Sequence, residues 1–507
     1  MAILLEKSAV FRKTSKKNLL PGNKMAVRIG PAYRTDAGDK MRIWTVEAEM
    51  EGQAERNNYL DENFAWFLGH LQEWLAIPSI STLPEHREDV HRAALWARER
   101  LAAIGFPESK IIPTAGHPLV YGEWQVDARQ PTLLIYGHYD VQPVDPQGEW
   151  KSPPFQPTVR DGNIYCRGAS DDKGQVLLVL AALEAWAKTG GTLPVNVKVL
   201  LEGEEEAGGE AIADYVVKHP QALAADAVLI CDTHMVNAGQ PSLITGLRGI
   251  LYTELTVMGA KTDLHSGSYG GVAPNPLHAL CLLLSRLKGE DGTINIPQLA
   301  AAIEAPTAAE KHFCREDPLH IEAELLDGMG VSEMVGEVAY PPLERIGLRP
   351  TLEVHGIRGG FTGEGGKTVI PAQAVAKVSM RLPANLDPQA VFAWLEEAVH
   401  NCQPRGYGVH LTNLHAGKGI SVNPDNPYIR AAAESIEAVF GAIPVFMREG
   451  GSIPIAALFD EVLKAPIILM GFGLPDDTVH APNEKFSLSQ FRKGMKTVAD
   501  FLGRIRR

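Results

Sequence analysis

The stretch Leu133–Asp140, which reads LLIYGHYD, constrains the fold of this chain more than any other segment. Its leading apolar run is typical of a buried parallel strand. The strand ends in a glycine and delivers His138 and Asp140, and open α/β sheets bind their ligands beyond such strand ends. If the strand continues, the two side chains share one face. This arrangement suits a metal-binding histidine that is oriented by a carboxylate, although the pair alone is a weak signal.

The same succession of apolar strand, polar cluster and helix repeats along residues 133–232. Such alternation favours layers of helices around a largely parallel sheet. Four polar clusters lie within this part of the chain, at His138/Asp140, Asp171/Asp172, Glu204–Glu206 and Asp232. A fifth cluster lies far downstream, at Asp476–His480. We therefore predict an α/β fold with a mixed, mostly parallel sheet flanked by helices. The clusters should meet at the edge where the parallel strands end.

The character of the sequence also changes along the chain, which predicts domain limits. Residues 1–53 are rich in Lys and Arg and weakly periodic, which favours a disordered basic tail. A transit peptide and a later start at Met25, Met41 or Met50 are the alternative interpretations. Alternating strands after residue 249 predict an inserted α+β domain over residues 249–416. The flanking parts, residues 54–248 and 417–507, would then form one split catalytic domain.

Charge and cysteine content exclude several classes of partner. The formal net charge of −13 over 507 residues argues against nucleic acid or an anionic membrane surface. No apolar run is long enough to span a bilayer. The five cysteines are scattered, without a C-x-x-C pair, and favour free thiols in a reducing compartment. We therefore expect a cytoplasmic protein.

The acidic clusters predict a pair of divalent metal ions. Each cluster by itself has an ordinary explanation. The run Glu204–Glu206 could be the solvated start of a helix, and the pair Asp171/Asp172 could be a turn or an N-cap. Taken together at buried strand ends, so many carboxylates require positive charge among them. A mixture of His and carboxylate ligands suits Zn²⁺, and also Mn²⁺ or Co²⁺. One bridging carboxylate and one free Glu as general base would complete such a centre.

Eight motifs appear in one order over about residue 58 to the C-terminus: GHYDVQPV, RGASDDKG, LEGEEEAGG, CDT, HSGSYGG, KTVIP, REGGSIP and VHAPNEK. With them the chain resembles the dinuclear zinc metallopeptidases that include carnosinase, PepV-type dipeptidase, carboxypeptidase G, succinyl-diaminopimelate desuccinylase and aminoacylase. REGGSIP and the NEK after the last histidine are most similar to the cytosolic carnosinase-like dipeptidase branch.

The resemblance implies a role for each candidate residue of the centre. The implied metal ligands are His138, Asp171 as the bridge, Glu206, Asp232 and His480. Glu205 would be the general base, and Asp140 would orient His138. The triple glutamate leaves the register open, because Glu204 could replace Glu205 as the base. The family shows two glutamates before a small residue, so Ala207 favours Glu205.

The resemblance also assigns the inserted domain to dimerisation and closure as a lid. His265 would then reach the active site of a partner subunit and stabilise the oxyanion. Arg381 would bind the substrate carboxylate, with a structural ion pair as the alternative interpretation. Backbone N–H groups of Gly450, Gly451 and Ser452 would line the same end of the substrate.

These expectations combine into one predicted activity. The chain would be a homodimeric dipeptidase-like enzyme that cleaves the amide bond of a dipeptide or similar small peptide with a water activated by two metal ions. An N-acyl-amino-acid deacylase or a carboxypeptidase-type amidohydrolase is the alternative among enzymes. A metal-free homologue that acts as a binding or scaffold protein is the alternative of another class. The sequence does not determine which substrate side chains are preferred.

Overall fold

The computed structural model describes residues 51–506 except residues 309, 312, 313 and 315–320. The predicted basic tail, residues 1–53, lies outside the described residues apart from residues 51–53, which belong to a helical stretch over residues 51–62. Within the described part, no helix has both the length and the apolar character needed to cross a membrane.

Eighteen strands are described: β1 (Glu108–Ile112), β2 (Leu119–Trp124), β3 (Thr132–His138), β4 (Thr158–Arg160), β5 (Asn163–Tyr165), β6 (Asn196–Glu202), β7 (Ala227–Ile230), β8 (Ser242–Leu247), β9 (Gly249–Met258), β10 (Leu264–His265), β11 (Thr351–Gly359), β12 (Val369–Ile370), β13 (Gln373–Leu382), β14 (Gly408–Gly417), β15 (Ile420–Ser421), β16 (Val445–Glu449), β17 (Ile467–Leu469) and β18 (Lys485–Ser487).

The α-helices of the described part, after the stretch 51–62, are α1 (Phe64–Leu75), α2 (Arg87–Ile104), α3 (Lys173–Gly190), α4 (Glu210–Lys218), α5 (Ser266–Tyr269), α6 (Pro276–Leu287), α7 (Pro297–Ala302), α8 (Ile321–Met329), α9 (Pro342–Gly347), α10 (Pro388–Cys402), α11 (Pro427–Phe440), α12 (Pro454–Leu463) and α13 (Leu488–Arg504).

A nine-stranded mixed sheet forms the larger layer, in the order β1-β2-β6-β3-β7-β17-β8-β15, with β16 added beside β8. The central strands β6, β3, β7 and β17 run parallel, while β1, β2 and β15 pair antiparallel. The central strands are buried apolar runs, as expected for strands covered on both faces. Helix α3 is apolar on nearly all sides because it lies between the sheet and the helices α1 and α13.

A separate four-stranded antiparallel sheet, in the order β11-β13-β9-β14, is built from residues 249–417. Strand β9 alternates buried and half-buried residues, because helices α6 and α10 pack on only one of its faces. Its hydrophobic core draws on residues 251–411, whereas the core around the large sheet draws on residues 60–247 and 420–505. The predicted domain limits stay a prediction, although the two cores divide at similar positions.

The predicted fold class, a mixed sheet flanked by helices, is confirmed. Helices α6 and α10 begin at Pro276 and Pro388 because Asn275 and Asp387 cap them directly before a proline. Near the C-terminal helix, Lys485–Ser487 form β18 and Ser487 is the N-cap of α13. Strands β8, β14 and β16 and helix α12 were not predicted.

The chain crosses between the two sheets at Gly249 and again at Gly419. A Cβ atom on Gly249 would lie 2.7 Å from the carbonyl oxygen of Gly417 and 2.8 Å from the backbone nitrogen of Gly419.

We expect Gly249→Ala to lower the free energy of unfolding by about 1–3 kcal/mol, because the opposing backbone must move. Gly366→Ala is the matched control, since nothing lies within 4 Å of its Cβ position, and should change the value by less than about 0.5 kcal/mol. Urea unfolding of both variants measures the difference, and equal effects would contradict the close crossing.

Candidate metal centre

Three neighbouring parallel strands bring four of the predicted site residues together. His138 is the last residue of β3, Glu205 and Glu206 follow β6, and Asp232 follows β7. The order β6-β3-β7 makes these strand ends adjacent, as expected for the ligand edge of a parallel sheet. Asp171 precedes α3, and His480 lies in the loop between β17 and β18.

Asp171 lies between the two histidines. Its Oδ1 is 2.9 Å from Nε2 of His138, and its Oδ2 is 2.9 Å from Nε2 of His480. Burial alone would raise the pKa of this carboxyl, but the hydrogen bonds and charges of the two imidazoles hold its pKa well below the ordinary value. The side chain is therefore a carboxylate with one oxygen directed to each histidine.

Two groups of donor atoms meet at this shared carboxylate. One comprises His138, Asp171 and Asp232, and the other comprises Asp171, Glu206 and His480, with the atoms of each group within 4.8 Å of one another. Nε2 of His138 is 3.7 Å from Oδ2 of Asp232, and Nε2 of His480 is 3.3 Å from Oε2 of Glu206. The five predicted ligands are thus brought together, and their ligand role stays a prediction.

The donor set fits divalent cations. Nε2 of His138 is buried and faces Oδ1 of Asp171 at 2.9 Å, whereas its Nδ1 faces the backbone oxygen of Asp140 at 3.1 Å. A proton on Nδ1 leaves the Nε2 lone pair for a metal. Burial and the charge of Asp171 raise the pKa of Glu206 to about 7, so the cluster holds more carboxylate than its surroundings compensate. Imidazole and carboxylate together suit Zn²⁺, Mn²⁺ or Co²⁺.

Asp140 connects His138 to the glutamate segment. Its side chain is fully buried, and Oδ1 lies 3.4 Å from Nδ1 of His138. The same carboxylate accepts hydrogen bonds from the backbone N–H groups of Glu205, at 3.3 Å, and Glu206, at 3.1 Å. One side chain therefore fixes both the imidazole ring and the position of the two glutamates.

The three consecutive glutamates point in different directions. Glu204 accepts hydrogen bonds from the backbone N–H groups of His117, at 2.8 Å, and Ala211, at 3.3 Å. Burial raises the pKa of Glu205, and the neighbouring carboxylates add to this shift. Gln142 donates to Oε2 of Glu206 at 2.7 Å. Glu204 thus has a structural role beside the next helix, whereas Glu205 faces the acidic cluster.

Glu484 was not singled out in the sequence, although it lies in the NEK that follows His480. It is buried and accepts hydrogen bonds from Arg167 Nη1 and from the backbone N–H groups of residues 168, 170 and 171. Ser170 also donates its hydroxyl to Asp477 at 2.9 Å. These contacts hold the loop of Asp171 against the loop of His480, so the last segment of the chain completes the centre.

A cavity of about 670 Å³ extends from the acidic cluster to the inserted strands. Glu205 and Glu206 line one end, and Arg381, Ser452 and His415 line the other. Sequence reasoning named Arg381 and Ser452 but missed His415, an exposed residue of β14. The guanidinium of Arg381 donates to Ser452 Oγ at 2.7 Å.

Three other predicted residues lie elsewhere. The residues that line the cavity within the described part do not include Gly450 or Gly451, whose carbonyl groups accept hydrogen bonds from Arg248. His265 is exposed at the end of β10, where its Nδ1 accepts the backbone N–H of Gly267 at 3.0 Å. Its ring does not belong to either group of donor atoms.

Comparison with known proteins adds independent information. The sequence model of Peptidase family M20/M25/M40 matches residues 134–504. A Cys-Gly metallodipeptidase of Schizosaccharomyces pombe is 32% identical over 458 residues, which cover 87% of this chain and 96% of the relative. A Beta-Ala-His dipeptidase of Homo sapiens is 31% identical over 463 residues, covering 87% and 90%. The structure of an M20 family metallo-carboxypeptidase from Sulfolobus solfataricus matches with a TM-score of 0.78 at 32% identity, covering 87% of this chain and 99% of the other.

The shared carboxylate gives a direct test of the centre. Asp171→Asn removes the negative charge between the two histidines, so we expect the number of Zn²⁺ or Mn²⁺ ions retained per chain after dialysis to fall from about two to one or none. Asp214→Asn is the control, because Asp214 is an exposed carboxylate on α4 that pairs with Lys218. Elemental analysis of both proteins measures the ratio. An unchanged metal content in Asp171→Asn would contradict the assignment.

Proposed function

Because the chain belongs to Peptidase family M20/M25/M40, we propose that it hydrolyses the peptide bond of dipeptides with the help of two divalent metal ions. The predicted resemblance to carnosinase-like dipeptidases is confirmed by the similarity to the two metallodipeptidases described above. The observation that carries the two-metal proposal is the position of Asp171 between His138 and His480. The metal-free scaffold is not favoured, since the candidate ligands and the candidate base are all present.

The proposed ligands divide into two sets around Asp171. His138 and Asp232 would hold one ion, Glu206 and His480 the other, and Asp171 would bridge them. When bound, the ions would supply an acidified water and polarisation of the substrate carbonyl. Zn²⁺ is the proposed metal, with Mn²⁺ and Co²⁺ as the other cations that accept these donors.

Glu205 is the proposed general base. Its raised pKa, caused first by burial, suits a carboxylate that takes the proton of the attacking water and passes it to the leaving amine nitrogen. Asp140 would keep Glu205 in place through its bond to the backbone N–H at 3.3 Å. Glu204 cannot exchange roles without giving up its bonds to His117 and Ala211.

The far end of the cavity would bind the C-terminal part of the peptide. Arg381 provides a guanidinium for the carboxylate, and Ile250, Ile455 and Leu458 provide an apolar wall. The cavity volume of about 670 Å³, lined by both Glu205 and Arg381, supports a short peptide as substrate. A carboxypeptidase-type activity is the second candidate, because it would use the same carboxylate site and is named for one structural relative.

We also propose a homodimer formed by the inserted residues. Strand β11 is an edge strand of the four-stranded sheet, and its Val354 and Ile357 are 42% and 49% exposed. A long edge strand with exposed apolar residues is a ready surface for a second copy. The oxyanion donor of each active site would then be His265 of the partner subunit.

Five free cysteines support a reducing, cytoplasmic location.

The activity can be tested on a small library of dipeptides, tripeptides and N-acetylated amino acids with added Zn²⁺ or Mn²⁺. We expect dipeptides to be hydrolysed at least about tenfold more efficiently than the other two classes, measured as kcat/KM, because carboxylates and a guanidinium line the same cavity and match the two charged termini of a dipeptide. A preference for N-acetylated amino acids would favour the deacylase alternative. Removal of a single C-terminal residue from longer peptides would favour the carboxypeptidase.

The glutamate register has its own test. Glu205→Gln should lower kcat by at least about 100-fold, since loss of a general base typically costs that much, while metal content stays unchanged. Glu204→Gln is the matched control, because it alters the adjacent side chain, and should retain most of kcat. The reverse pattern would show that the base is Glu204.

Co-expression of two inactive variants tests the role of His265 across the dimer. A His265→Ala chain and a Glu205→Gln chain would regenerate about a quarter of the wild-type sites when they pair, because one site of each mixed dimer is then complete. Glu206→Gln paired with Glu205→Gln should regenerate none, since Glu205 and Glu206 of one chain belong to the same centre and each centre of the mixed dimer therefore keeps one defect. Absence of recovery in the first mixture would contradict a contribution from the partner.

A further inference from the structure

Two arginines near the cavity carry positive charge without a carboxylate partner. Arg248 is 8% exposed, and burial, followed by repulsion from Arg381, lowers its pKa to about 10. Burial also lowers the pKa of Arg381. Among the residues that the structure describes, no carboxylate forms an ion pair with either guanidinium. Buried cations that repel each other favour an anion in their neighbourhood.

Arg248 occupies the junction between the two sheets. It is the single residue between β8 and β9, and it forms hydrogen bonds with three successive residues of one loop. Its Nε donates to the carbonyl of Gly450 at 3.0 Å, its backbone N–H donates to the carbonyl of Gly451 at 3.1 Å, and its own carbonyl accepts the hydroxyl of Ser452 at 2.5 Å. One residue thus fixes three successive positions of the loop that borders the cavity.

Ser452 transmits this contact to Arg381. The Ser452 hydroxyl donates to the carbonyl of Arg248 and accepts a hydrogen bond from Arg381 Nη1 at 2.7 Å. The loop can approach closely because Gly450 has no side chain: a Cβ there would lie 2.9 Å from Nη2 of Arg248. The orientation of the Arg381 guanidinium therefore depends on the backbone of Arg248 through Ser452, and on the side chain of Arg248 through the Gly450 carbonyl that precedes Ser452 in the loop.

We propose that the side chain of Arg248 is a positioning group for recognition of the substrate's C-terminal carboxylate, because its bond to the Gly450 carbonyl fixes the loop that places Ser452 against Arg381, and because it adds a second positive charge near that end of the cavity. This inference rests on the proposed function, in which Arg381 binds the carboxylate. It assigns to Arg248 a selectivity for peptides with a free C-terminus over peptides whose C-terminus is an amide.

Arg248→Met tests the inference with glycylglycine and glycylglycinamide as paired substrates. We expect KM for glycylglycine to rise about 10- to 100-fold, as for loss of a charge-assisted interaction, while kcat changes less than about threefold. Values of kcat/KM for glycylglycinamide should change less than about threefold, since it lacks the carboxylate. Arg129→Met is the matched control, because Arg129 lies in the loop between β2 and β3 with its side chain 89% exposed, and should leave both substrates unaffected.

Two further variants separate the possible failures. Ser452→Ala removes the link without touching the junction, so it should reproduce the selective loss, and adding Arg248→Met to it should cost less than the sum of the two single effects. Arg381→Met tests the proposed function itself. If this variant lowers kcat/KM equally for glycylglycine and glycylglycinamide, the carboxylate site lies elsewhere. If Arg381→Met discriminates and both Arg248→Met and Ser452→Ala weaken the two substrates equally, the positioning role is overturned.

Binding without turnover gives a second readout. In the Glu205→Gln background, calorimetric titration with glycylglycine should show a Kd about 10- to 100-fold weaker when Arg248 is replaced by Met. Arg248→Lys retains the charge but not the planar fork, and should recover only part of that loss. Full recovery by Lys, or equal binding by the Met variant, would contradict a role that depends on the geometry of the guanidinium.

Discussion

The carboxylate of Asp171, held between His138 and His480, is the interaction on which the rest of the site depends. Its two oxygens serve two histidines that are separated by most of the chain, so the centre exists only when both parts of the large sheet have assembled. Glu484 supports this geometry by accepting four hydrogen bonds from the loop of Asp171. A buried carboxylate with so many donors has few ways to move, which preserves the spacing that two cations need.

Charge is distributed unevenly along the cavity, and this distribution would orient a bound peptide. Carboxylates of Glu205 and Glu206 lie at one end, and the guanidinium of Arg381 lies at the other, with Arg248 close behind it. Divalent cations would balance the first end and a substrate carboxylate the second. The two ends come from different sheets, which meet where Gly249 and Gly419 cross. The proposed catalytic and recognition groups are therefore joined by a short, closely packed junction.

Sequence patterns predicted the elements whose signals are local. Helices α6 and α10 carry such local signals, because an Asn or Asp cap and a proline define their first turns. Strand β8 was not predicted because its fully buried residues show no alternation, and β14 was not predicted because its mostly half-buried residues show no clear apolar face. Arg248 and Glu484 were missed for a different reason. Their importance comes from partners distant in the chain, and a single arginine or glutamate carries no local sign of such partners.

The sequence by itself determined the fold class, the family and the set of acidic and histidine residues at LLIYGHYD and the later clusters, because strand ends and motif order are properties of the chain. Tertiary structure alone decided which atoms face each other. It directed the two oxygens of Asp171 to two different histidines, turned Glu204 away from the cluster, and placed Ser452 between two arginines. These outcomes depend on distances of a few ångströms between segments far apart in sequence, and only the packing of the two sheets fixes such distances.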